Sequence, residues 1–244
     1  MTEVEICVAD AGGVAAAVSG GADRVELCAA LEVGGLTPSW GAVMAARDQA
    51  GAAFVAVLIR PRAGDFVFTQ DEVSVMERDI AGLTEWADLE QWDRLGFAIG
   101  ALLTDGTVDL ATTQRLVQAA SGRRVGFHKA FDTVPDADKG MAELLDLGVE
   151  GALTSAGDGP CIDNLDALGR LARSSGAVIT AAGGVRPANV AQVAATGVRR
   201  VHLRAPRAMA GTSSVGSAYD QTWDVTDAAM VQQVVDILAS AGLR

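Results

Sequence analysis

The stretch RVGFHKAFDTVPDADKGMAELLDLG, residues 124–148, decides the fold. It reads as a short apolar strand over Arg124–His128, a polar turn, and a helix over Ala137–Leu147 closed by Gly148. The same alternation recurs along the chain. Further strands are expected over Val4–Val8, Arg24–Cys28, Phe54–Arg60, Phe97–Leu102, Gly151–Thr154, Val178–Ala181 and Arg200–Arg204. Helices are expected over Pro38–Ala50, Asp71–Trp86, Leu110–Ala120, Leu165–Ser174, Ala188–Ala195 and Asp227–Ala241. Thr37 offers an N-cap ahead of Pro38, and Thr226 offers one for the last helix. Gly148, Gly176 and Gly197 stand where a left-handed residue ends a helix.

Strands that alternate with helices pair in parallel through right-handed crossovers. Units of roughly 30 residues, with no GxGxxG after the first strand, favour a closed (β/α)8 TIM barrel over an open doubly wound sheet. The chain, residues 1–244, is read as one such domain, since no low-complexity linker or charge run divides it.

Composition narrows the function classes. Hydrophobic residues make up 50% and charged residues 20% of 244, enough for a large core. A net charge of -12 argues against a nucleic-acid or anionic-membrane surface, although local arginines can still line a positive pocket. The first residues, Met1 to Glu5, carry no signal-peptide pattern, and every apolar run breaks well short of a membrane span. Three scattered cysteines, Cys7, Cys28 and Cys161, read as reduced thiols, so a cytoplasmic location is expected.

Active sites of such barrels sit at the C-terminal strand ends, so reactive side chains there carry the most information. Glu5 and Cys7 share one face of the first strand, and Glu26 and Cys28 one face of the second. A carboxylate faces the apolar helix layer only at high cost, which turns these faces toward the barrel interior. Strand three leads into Arg60, Arg62 and Asp65, and strand five into His128 and Asp132. Ser155 follows strand six, Gly183-Gly184 follow strand seven, and His202 lies on strand eight with Arg204 on the same face. Both histidines of the protein thus fall at strand ends. Glu26 with His128 or His202 would serve acid/base chemistry, and Arg60 and Arg62 would clamp a carboxylate or phosphate. Asp132 would orient His128. Ser155 and the Gly183-Gly184 turn would bind an anion. Lys129, alternating with His128, should point away from the interior. The plainer readings are inert core thiols, arginines that staple Asp65, and histidines that bridge loops.

These blocks resemble the CutC family, long labelled copper homeostasis proteins. The likeness runs through Glu5–Val8, Gly20–Cys28, Gly34–Ser39, Ile59–Phe66, Phe127–Asp132, Leu153–Ser155, Ala182–Val185 and His202. It implies a TIM barrel, a cytosolic setting, self-association as a homodimer, and Cu(I) binding through Cys7 and Cys28 near the barrel mouth. Departures are Lys129 for the usual Arg, Ala63 for a Gly, Leu203-Arg204 for a small polar pair, and a divergent segment over residues 208–218. Two functions compete. One is Cu(I) handling by two soft thiolates. The other is an enzyme acting on a small anionic or phosphorylated metabolite, because copper ligation needs far fewer ionisable groups than converge here. A purely structural barrel leaves those charges unexplained.

Overall fold

The computed structural model describes residues 1–211 and 222–244. Eight parallel strands close into a barrel in sequential order. They are β1 (Glu3–Val8), β2 (Arg24–Leu27), β3 (Phe54–Leu58), β4 (Leu95–Ile99), β5 (Val125–Phe127), β6 (Gly151–Thr154), β7 (Val178–Ala181) and β8 (Arg200–Leu203). The interleaved helices are α1 (Ala11–Ser19), α2 (Trp40–Ala50), α3 (Gln70–Leu89), α4 (Leu110–Ala119), α5 (Ala137–Asp146), α6 (Leu165–Ser174) and α7 (Val190–Ala194). A two-stranded ribbon, β9 (Pro206–Met209) with β10 (Trp223–Thr226), precedes α8 (Ala228–Ser240). No helix among the described residues is long and apolar enough to cross a membrane.

Alternation along the strands sorts the side chains. Val4, Ile6 and Val8 on β1, with Val201 and Leu203 on β8, are buried in the apolar layer between barrel and helices. Glu5, Cys7 and His202 therefore face the interior. Closure between β1 and β8 sets Glu5 level with His202, while the β1–β2 register sets Cys7 level with Glu26. Four ionisable side chains of three chemical kinds are thus neighbours by register alone.

Several local expectations need correction. Helix α2 starts at Trp40 and is capped by Ser39, whose hydroxyl accepts from the Ala42 N–H. Thr37 instead accepts a hydrogen bond from the Arg60 backbone N–H at 2.8 Å, tying the second loop to the third. The last helix is capped by Asp227 rather than Thr226, because Thr226 is still paired in the ribbon. Helix α1 has no counterpart in the sequence reading. Its run of Ala, Gly and Val lacks a polar face, and small size is what its place demands: a Cβ at Gly20, its C-cap, would come within 2.6 Å of Val231 on α8. Gly148, Gly176 and Gly197 do adopt positive φ, at 85°, 68° and 94°.

Candidate active site

A cavity of about 290 Å³ opens at the C-terminal mouth of the barrel. That is near the lower end of small-molecule sites, about 300–1,000 Å³, so it suits a small metabolite. Its lining includes Cys7, Glu26 and Cys28 from the β1–β2 side and His202 and Arg204 from β8. Arg60 and Phe66 enter from the segment after β3, His128 and Lys129 from the end of β5, and Gly183 to Arg186 from the turn after β7.

One side of this mouth is a connected polar cluster. The Arg24 Nε donates to Glu5 Oε2 at 2.9 Å, and His202 Nδ1 lies 2.9 Å from the other Glu5 oxygen. His202 Nε2 then approaches Glu26 Oε2 at 3.8 Å. The Cys28 thiol lies 3.6 Å from that Glu26 oxygen and 3.7 Å from the Cys7 sulfur. A thiol, a carboxylate and an imidazole, from Cys7, Glu26 and His202, bring ligand atoms within 4.8 Å of one another.

Burial and pairing give these groups different protonation states. Burial alone would raise the Glu5 carboxyl, but the His202 hydrogen bond and the Arg24 guanidinium outweigh it and hold Glu5 at about 2. Glu26 lacks such a cation bond; burial, helped by the charges of Cys7 and Glu5 against the pull of His202, pushes it up to about 8. Cys7 falls to about 5, chiefly through the Cys28 hydrogen bond and, against burial, through His202. Cys28 is pushed up by its bond to Cys7, by burial and by Glu26. Burial opposes the charge on His202, yet its bonds to Cys7 and Glu5 raise it well above its ordinary value. The directions diverge: the Cys7 thiol is drawn toward its charged form beside a His202 that favours its own, while Glu26 is driven toward its neutral form. Two neighbouring groups whose values are pushed apart in this way suit the roles of base and acid.

The opposite side carries Lys129, which is paired with Asp132, together with Arg186 and the Gly183-Gly184 turn. Gly183 and Gly184 both take positive φ, 88° and 82°, which turns the strand sharply into the α7 approach. A Cβ at Gly183 would lie 3.4 Å from the Lys129 side chain, so this turn and Lys129 share one edge of the mouth. Lys129 therefore points into the mouth and not away from it. Strand β5 ends at Phe127 and the chain bends into a 3-10 turn over Lys129–Thr133, which breaks the alternation on which the opposite expectation rested.

Other sequence expectations fare unevenly. Asp132 does not orient His128. Its carboxylate instead accepts from Ser155 N at 2.9 Å, from the Ser155 hydroxyl at 2.8 Å, and from Thr154 and Lys129. Ser155 is thereby committed to Asp132 and does not line the cavity. Arg62 and Asp65 lie outside it too: Arg62 pairs with Asp65 and Glu72 at the start of α3, as a staple. Arg60 does reach the cavity, but alone, so the expected twin-arginine clamp is not assembled. Phe66, Arg186 and Arg204 were not singled out as binding residues; Arg186, two residues beyond the glycine pair, carried the clearest overlooked signal. The divergent segment at 208–218 lies largely outside the described residues.

The fold and this cluster define a parallel (β/α)8 barrel with a buried thiol–imidazole–carboxylate site at its C-terminal mouth. A family model, the CutC family, matches residues 2–206. The chain belongs to that family. It is 42% identical over 194 residues to a CutC family protein of Agrobacterium fabrum, covering 77% of this chain and 72% of the relative. A relative from Glaesserella parasuis is 35% identical across 97% of this chain and 99% of its own length. The crystal structure of CutC from Streptococcus agalactiae superposes with a TM-score of 0.75 at 30% identity, covering 83% of this chain and 98% of that one.

Proposed function

We propose that the protein is an enzyme that moves protons on a small anionic or phosphorylated metabolite. The observation that carries this reading is the convergence of Cys7, Glu26 and His202 within 4.8 Å on the wall of a cavity that Lys129, Arg186 and Arg204 also line. Cys7 is the base, Glu26 the acid, and His202, held by Glu5, the cation that keeps the thiolate charged. The Gly183-Gly184 turn and the neighbouring cations take the anionic end of the ligand. Burying this many ionisable groups is costly, and a site that uses them accounts for their presence. The test is hydrogen exchange. Protein is incubated in deuterated water with a panel of two- to six-carbon phosphates and carboxylates, and loss of C–H signal is followed by proton NMR. At least one compound should exchange, with the rate falling roughly 100-fold or more in Cys7→Ala and Glu26→Gln. No exchange from any compound, or exchange untouched by both variants, contradicts the reading.

A second reading has its own observation. Two thiols 3.7 Å apart at the mouth are soft donors that fit Cu(I) as cargo, and the Streptococcus agalactiae relative carries a copper homeostasis name. Cys28 would first have to lose the proton that Cys7 and Glu26 hold on it. Titration with Cu(I) against a colorimetric chelator decides: one tight equivalent that disappears in Cys7→Ser and Cys28→Ser supports it, and unchanged stoichiometry removes it. Both readings suit a reducing, cytoplasmic setting and a homodimer, whose mass light scattering would give.

A further inference from the structure

The imidazole of His202 is aimed from behind. Glu5, whose other oxygen is held by Arg24 Nε at 2.9 Å, faces His202 Nδ1 at 2.9 Å. A carboxylate only accepts, so the neutral ring carries its proton on Nδ1 and its lone pair on Nε2. Nε2 is turned to Glu26 Oε2, 3.8 Å away. Cys7 completes a group in which one ligand atom from each residue lies within 4.8 Å of the other two. None of the three is sealed in the core. All of them line the cavity, where the His202 and Glu26 side chains stay 11% and 9% exposed and Cys7 8%. Cys28, only 1% exposed, is not one of the three.

We infer that Cys7, Glu26 and His202 together bind one divalent cation of the zinc type, a site that differs in both metal and ligand set from the thiol pair suited to Cu(I). One thiolate, one carboxylate and one imidazole are donors that zinc accepts. Hard Mg(II) and Ca(II) demand oxygen ligands, and Cu(I) prefers sulfur. Ligand atoms on a tetrahedral ion with bonds of about 2.0–2.3 Å stand ~3.3–3.8 Å apart, so side-chain shifts of about 1 Å close this set on an ion. The Glu5 carboxylate behind Nδ1 is the outer partner that a metal-ligating histidine uses to fix its ring and raise its basicity. Cys7 and Glu26, as thiolate and carboxylate, balance the two charges of the ion. Uptake displaces the protons of the ligands, as it does wherever Cys and His bind metal. The remaining coordination position is left to water from the cavity. Such a site goes beyond the acid/base role of the same mouth. An ion that occupies Cys7 and Glu26 removes the base and the acid, so the loaded protein does not move protons on carbon.

The test uses full-length protein freed of metal by dialysis against a chelator. Zn(II) is titrated in competition with a chromogenic chelator, and Co(II) serves as the spectroscopic stand-in. One equivalent should bind, and Co(II) should show a thiolate charge-transfer band with the strong visible bands of a tetrahedral site. Glu26→Gln and His202→Gln should each weaken Zn(II) binding by roughly tenfold or more. Cys7→Ser should also remove the charge-transfer band. Glu5→Gln, which only loosens the positioning of the ring, should weaken binding roughly tenfold and keep the band. Cys28→Ser should keep both the equivalent and the band. No binding to the wild type, a band lost in Cys28→Ser but kept in Cys7→Ser, or an affinity unmoved by both Glu26→Gln and His202→Gln each overturn the assignment. If Cys7→Ser fails to fold, Zn(II) must still slow alkylation of Cys7 in the wild type, and undiminished labelling overturns the assignment. Hydrogen exchange by the metal-free protein reports on the acid/base role separately. Its absence contradicts that role and leaves the zinc site standing; where exchange occurs, one equivalent of Zn(II) should stop it.

Discussion

At the scale of single residues, the site works by giving like groups unlike environments. Glu5 and Glu26 are both buried carboxyls on adjacent strands, yet one is held at about 2 and the other near 8. The difference is their partners: Arg24 and His202 embrace Glu5, whereas Glu26 is left with two thiols and the far side of His202. This has a consequence for stability. Between its ordinary value of 4.5 and its folded value of about 8, Glu26 is protonated in the native state and ionised in the unfolded chain. Its stabilising contribution is therefore complete below the lower value and is lost as pH rises through the upper one. Glutamine keeps the shape and the neutral charge. The melting temperature of Glu26→Gln, measured against wild type, should climb between pH 5 and pH 8 by roughly 5 °C or more. Parallel curves for the two proteins would show that Glu26 is not held protonated. The sequence made the pairing of Glu5 with Cys7 and of Glu26 with Cys28 legible, because a period of two is all it takes. It did not reveal which carboxyl stays neutral, since that depends on Arg24 and His202 arriving from other strands.

At the scale of elements, the ends of strands and the starts of helices decide which residues reach the mouth. The predicted strand ends agree with the observed ones to within about three residues, and both histidines lie in the cavity wall, as their positions suggested. What failed was extrapolation past a strand end. The 3-10 turn after β5 re-aims Lys129 and Asp132, and the redirected Asp132 then takes up Ser155 from the end of β6. Gly100 had no signal at all, because its task is to leave room for a ring 28 residues further along the chain. Arg62 illustrates the converse error. Thr69 and Glu72 form a capping box at the start of α3, and Arg62 leans on Glu72 at 2.5 Å. A half-buried staple at the surface, still open to solvent screening, contributes little, typically under ~1 kcal/mol. Arg62→Ala should therefore lower stability by less than about 1 kcal/mol in urea and leave phosphate affinity unchanged. A tenfold loss of phosphate affinity would place Arg62 back in the site.

At the scale of the whole molecule, charge is sorted along the barrel axis. At the N-terminal end Arg200 pairs with Glu3 and Glu150, both at 2.7 Å, and Arg24 lies 3.9 Å from Glu150. Midway, Glu5 links that layer to His202; above it lie the thiols and Glu26, and then the cationic rim. In an acidic protein of net charge -12, Lys129, Arg186 and Arg204 all line this mouth, with Lys129 paired to Asp132 and Arg204 to Asp224 at 3.1 Å. The barrel was legible from its repeating units, but this layering was not, because it is made by residues far apart in sequence that meet only when β1 closes on β8. The account stands or falls on whether Cys7 is a charged base beside an anion site. The most direct measurement is the pH profile of Cys7 alkylation by iodoacetamide, read by peptide mass spectrometry with and without inorganic phosphate. The expected result is an inflection well below that of an ordinary thiol, because the Cys28 hydrogen bond and His202 favour the Cys7 thiolate, and slower labelling when phosphate is present. An inflection at the usual value near ~8.5, with no protection by phosphate, would contradict it.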